Sequence, residues 1–161
     1  MVWDALQPTV QWLGDSMLGQ WLGESPLRIA ALFVMHLAGL TLLLGGTFVI
    51  CLRLLGIGFP SGSQAQLTRD VAPWRTGGLA LMLISGALIF TGGATSYFEG
   101  EWFRRKMIIL LIALLFNGTW FRRVTTARED QFNAWQKRVT SGVALLLWFG
   151  VGVAGRAIAF F

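Results

Sequence analysis

The chain has 161 residues, of which 55% are hydrophobic and 13% charged, and its net charge is +5. A water-soluble domain carries about twice that charged share, so a soluble enzyme, a disordered tail and a secreted disulfide scaffold are all excluded. The 20 glycines stand among Leu, Ile and Val, where they suit close helix packing in lipid.

In chain order, residues 1–25 read as an amphipathic segment lying on the membrane surface. Asp4, Pro8 and Asp15 interrupt any signal-peptide core. Trp3, Leu6, Val10, Leu13, Met17 and Trp21 recur at three- and four-residue steps, one face of a helix, with a break expected at Gly14. Residues 26–161 read as a four-helix transmembrane domain. Its first span is 29–52, opened by Ser25 as N-cap and Pro26 at the first helical position. At 1.5 Å per residue it is about 36 Å long, enough to cross the hydrocarbon with tilt. Further spans follow at 74–94, 102–121 and 139–161. The predicted class is an all-α polytopic four-helix bundle with an N-terminal interfacial segment. Ala31, Ala38 and Gly45 form a smooth stripe on the first helix, and Gly150 with Ala154 a small-residue pair on the fourth. Both are expected to serve packing. Thr76, Gly78, Ala80, Leu81, Leu83 and Gly86 match residues 64 positions later, which suggests two tandem hairpins.

Four spans put both termini on one side. That side holds Arg28, Arg104, Arg105, Lys106 and Arg156; the other eight basic residues, among them Arg53, Arg75, Lys137 and Arg138, lie opposite. The bias of eight to five places both termini outside the cytoplasm of a bacterial inner membrane. The tryptophans agree: Trp21 and Trp102 fall at the outer interface, and Trp74, Trp120 and Trp135 at the inner one. Trp148, mid-span, is expected in the bundle interior. The cations flank apolar runs instead of forming one basic face, so nucleic acid is not an expected partner. Lipids, other membrane subunits or a second copy are.

Ionisable residues within spans carry the functional signal, because lipid penalises them. His36 lies seven residues inside the first span, Arg156 near the end of the fourth, and Arg104, Arg105 and Lys106 open the third. All point to the outer half. One imidazole with nearby cations suits haem b or another tetrapyrrole, with His36 as axial ligand and Arg or Lys on its acidic substituents. It equally suits a quinone bonded to His36. A copper site would use His36 with methionines. The competing reading is that His36 satisfies a helix carbonyl and Arg156 snorkels. Since there is one histidine, a six-coordinate haem needs a methionine or another subunit. The pairs Glu99/Glu101 and Glu129/Asp130 read as solvated loop charges, Arg53 as snorkelling, and Asn117 as bonding across helices. Neither a phosphate-binding glycine loop nor a nucleophile elbow occurs, which points away from catalysis by this chain alone.

The run from His36 through Gly45 to Leu52-Arg53-Leu54-Leu55-Gly56, then Pro73-Trp74, Lys106-Met107, Asn117, Leu147-Trp148 and Gly155-Arg156-Ala157-Ile158-Ala159 resembles a bacterial membrane family of unknown function. That family is remotely similar to the membrane domain of copper-resistance D proteins and to small cytochrome-like bundles. The resemblance implies a four-helix inner-membrane protein. Where the family pattern has an acidic residue before Leu-Arg, this chain has Cys51. Two functions are carried forward: a small membrane subunit with a structural, assembly or cofactor-binding role, and a haem, quinone or copper protein using His36.

Overall fold

A computed structural model describes residues 2–58, 62–128, 130–158 and 160. Glu129, Ala159 and the final residue of the predicted fourth span lie outside the described residues. The fold is all-α, with no strand among the described residues.

Helices α1 (Val2–Gly14) and α2 (Met17–Gly23) form the N-terminal segment. They part at Asp15–Ser16, where Ser16 Oγ accepts from the Gly19 amide at 3.1 Å and caps α2. Gly19 is required at this corner, because a Cβ there would lie 2.5 Å from the Gly14 carbonyl oxygen. The corner divides the expected apolar stripe. Val10 packs with Ala94 and Phe98, and Leu22 with Leu32 and Ile89, but Met17 is turned outward at 84% exposure.

Four helical rods follow: α3 (Pro26–Leu54), α4 (Gln64–Thr91), α6 (Glu101–Phe116) continued by a π-helical turn (Asn117–Phe121) and α7 (Arg122–Thr126), and α8 (Ala134–Ala157). Short α5 (Ala94–Glu99) links α4 to α6. All four rods are long and apolar enough to cross a membrane, so this is a multi-pass membrane protein. In each, a third or less of the most apolar window is buried inside the chain. Residues such as Leu111, Leu115, Leu146 and Phe149 therefore point outward, as lipid-facing side chains do.

Helix α4 begins at Gln64, ten residues before the expected start at 74. Pro73 and Trp74 read as a boundary, yet the helix passes through them. The reason lies at the far end of α7, whose last carbonyls have no partner within their helix. Gln64 Nε2 donates to the Val124 carbonyl at 2.7 Å, and the Thr68 hydroxyl is shared between the Gln64 carbonyl at 2.9 Å and that of Thr125 at 3.1 Å. These two side chains tie the early turns of α4 to α7. A capping box between Asn133 and Gln136 starts α8.

Helix α3 packs along α4, and α6 along α8. The first pair meets backbone to backbone at Gly39 and Gly78: a Cβ on either would lie 2.7 Å from the other's carbonyl oxygen. The small-residue stripe of Ala31, Ala38 and Gly45 is not this contact. All three are exposed, and a Cβ on Gly45 would meet nothing within 4 Å. Gly150 does pack on α6, near Ile109, and Ala154 is buried. The suggested repeat has unequal partners, since Gly78 is in tight contact while Gly142 faces open space. Trp148 is 1% exposed and fills the middle of the bundle with Leu43, Met82, Ala113 and Val151.

Candidate functional site

At the end of the bundle that carries the termini, the rods enclose a cavity of about 410 Å³. Phe33 and His36 of α3, Met82, Gly86 and Phe90 of α4, Tyr97 of α5, Phe103, Lys106 and Met107 of α6, and Val151 and Gly155 of α8 line it. The wall is apolar except for His36, Tyr97 and Lys106. Phe90 and Phe103 stack with centroids 4.9 Å apart, joining α4 to α6.

The orientation of His36 follows from Ser85, which is fully buried one position before Gly86. The single Ser85 hydroxyl proton goes to the Leu81 carbonyl, 2.6 Å away and one turn back. Its oxygen is left to accept, so the 3.2 Å contact with His36 Nδ1 is an Nδ1–H donating to Ser85 Oγ. This bond assigns the proton of the neutral ring to Nδ1 and leaves a lone pair on Nε2. The ring also bonds the Met82 backbone, the helix-carbonyl contact set against a ligand role in the sequence reading, and among the described residues no buried side-chain nitrogen or oxygen is unsatisfied. His36 lines the cavity. Gly86 permits this placement: a Cβ there would lie 3.0 Å from His36 Cε1.

Lys106 lies across Gly155, whose Cβ would stand 3.3 Å from Nζ. The residue is half-buried. Tyr97 is the third polar group, and burial pushes its phenol above the usual range, so it remains an O–H donor. The cavity thus offers one lone pair, one ammonium and one phenol on otherwise apolar walls.

Of the cations expected near His36, the structure brings only Lys106 to the cavity. Arg104 turns to the carbonyls of Phe98 at 3.4 Å and Glu99 at 3.2 Å, and sits over the Trp3 ring. Arg105 is exposed, pairs with Glu101 and covers Trp102. Arg156 is exposed and lies 4.4 Å from the Phe160 ring centroid. Met82 and Met107, on separate helices, both reach the cavity.

A second polar cluster was foreshadowed in the sequence only by Asn117, with Arg75 and Thr47 as its other members. The distribution of basic residues sets Arg75 on the loop side beside Trp74, but the longer α4 carries it into the bundle. Its Nη2 donates to Asn117 Oδ1 at 2.7 Å, its Nε to Thr47 Oγ1 at 3.3 Å, and its guanidinium lies 5.0 Å from the Phe121 ring centroid. Asn117 and Phe121 bound the π-helical turn. Gly46 leaves room for the arginine stem, since a Cβ there would collide with Arg75 Cγ. The expected cross-helix bond of Asn117 is this one. Arg53 bonds the Gly62 carbonyl at 2.9 Å.

A family described as a family of unknown function (DUF6644) matches residues 9–161, and the chain belongs to it. No curated protein and no solved structure matches, so the remote likeness to copper-resistance D proteins gains no support from relatives.

Proposed function

We propose that this chain is a bacterial inner-membrane subunit that holds an organic cofactor between its helices, in the half nearer the periplasm. The observation that carries this reading is the cavity in which His36 Nε2, Lys106 and Tyr97 are the polar groups set into apolar walls. Its volume is that of a site for a small organic molecule, and a single metal ion would leave most of it empty. The ligand that fits is a quinone or quinol head with an apolar tail. A ring hydroxyl donates to Nε2, the ammonium or the Tyr97 phenol donates to a ring oxygen, and the stacked Phe90–Phe103 pair supplies apolar wall.

A haem is the second reading, favoured by one observation: Met82 and Met107 share the cavity with His36. His36 and one of the two thioethers would hold the iron, and Lys106 would meet a carboxylate. The eight-to-five distribution of basic residues supports a periplasmic position for both termini. The outward apolar faces meet lipid, other subunits or a second copy of the chain.

Purification in mild detergent followed by solvent extraction and an absorption spectrum tests the reading. Quinone at near-equal molar amount is expected, falling at least tenfold in His36→Ala and Lys106→Gln. A Soret band would move the assignment to haem. A clean monomer with neither, or with quinone unchanged by both substitutions, would overturn the proposal.

A further inference from the structure

The opposite end of the bundle has a cavity of its own, about 440 Å³, between the last turn of α3 and the first turn of α8. Arg53 enters it from α3, and Lys137 and Arg138 from α8. Arg53 is positioned by its bond to the Gly62 carbonyl, and Gln64, 3% exposed, by its bond to Val124. Ala134 also lines the space; it is the first residue of a 24-residue helix, whose dipole puts positive potential there.

The positive-inside rule explains why cations are numerous at this end, but not why three share a concavity. Arg69, Arg122, Arg123 and Arg128 belong to the same end and do not line it. Depth narrows the ligand. Trp135, two residues before Lys137, is 72% exposed, and Trp120 is also exposed near this end. Exposed tryptophans mark the head-group level, where the available anion is phosphate. Arginine's planar fork matches phosphate oxygens in pairs.

We propose that this cavity binds a phosphate group at the membrane surface. Two sources carry that chemistry: the head group of an anionic lipid, and a phosphate-bearing solute arriving from water. The site is independent of the His36 cavity and of any cofactor there.

The test uses the full chain in nanodiscs of phosphatidylcholine, with or without phosphatidylglycerol, and native mass spectrometry after release. The Lys137→Gln/Arg138→Gln double variant is compared with Arg122→Gln/Arg123→Gln, which removes the same charge outside the cavity. Arg138→Gln alone, at an exposed position, guards against misfolding of the double variant. Retained phosphatidylglycerol, weakened about fivefold per charge removed from the cavity and little changed by the outside pair, supports the lipid source. Inorganic phosphate binding in pure phosphatidylcholine discs, lost in the cavity variants, supports the soluble source. Equal weakening by both double variants, or no binding of either probe, overturns the proposal.

Discussion

Replacing Gly39 by alanine perturbs the structure at its tightest point and reaches the His36 site without touching it. The new methyl would lie 2.7 Å from both the Gly78 carbonyl oxygen and the Met82 amide nitrogen. Ordinary contact begins near 3.4 Å, so α3 and α4 must separate by about 0.7 Å, because neither neighbour is a movable side chain. His36 is one turn away on the same face. Carried there, the shift lengthens the Ser85 bond from 3.2 Å to about 3.9 Å, past hydrogen-bond range. Overpacking costs about 1–3 kcal/mol and the lost bond about 0.5–1.5 kcal/mol, while alanine returns about 1 kcal/mol of helix propensity. A net loss of about 1–3 kcal/mol is expected in mixed-micelle unfolding. Gly77→Ala is the control, with no atom near its Cβ, and should be neutral or stabilising by up to about 1 kcal/mol. Because the chain has one histidine, its imidazole nitrogens give a single pair of NMR signals. Wild type should show the Nδ1–H tautomer, and Gly39→Ala a mixture. An alanine variant with unchanged stability and an unchanged tautomer would refute the reasoning.

Other expectations concern the charged groups. Asn117→Leu should cost about 2–3 kcal/mol by removing a partner of the Arg75 guanidinium, and adding Arg75→Met should recover part of it; a double variant no more stable than Asn117→Leu in mixed-micelle unfolding would sink this account. Arg105→Ala removes an exposed pair and should change stability by less than about 0.5 kcal/mol while leaving cofactor content as in wild type, checked by the same unfolding and extraction. On a Cys51→Ala background, a cysteine at Trp12, 70% exposed, should react in intact spheroplasts with a membrane-impermeant maleimide, and one at Trp135 only after lysis. The reverse pattern would invert the proposed topology.

The four-rod architecture was legible because the spans depend on hydropathy, which is local. The start of α4 was not, because Gln64 and Thr68 answer carbonyls on α7 that are about 60 positions away in the chain. Separation along the chain also hid the Arg75 cluster: Asn117 signalled a polar need inside a span, but nothing in the sequence said which helix supplies the cation. His36 and Lys106 were readable as ionisable groups at similar depth. Arg104, Arg105 and Arg156 looked equivalent to them, and only helix rotation separates a side chain facing the cavity from one facing the surface. The stripe at Ala31, Ala38 and Gly45 had ideal spacing, yet the helix turns that face away from α4 and uses Gly39 instead.

The Gly39–Gly78 contact also has a mechanical meaning. It stands between two hydrogen-bonded bridges joining the same pair of helices, His36–Ser85 on one side and Thr47–Arg75 on the other. With bare backbone at the crossing, the pair is a lever with its fulcrum near the middle of the membrane. A tilt of α3 that spreads one bridge compresses the other, so the two bridges answer to one hinge, with two hydrogen atoms in place of side chains.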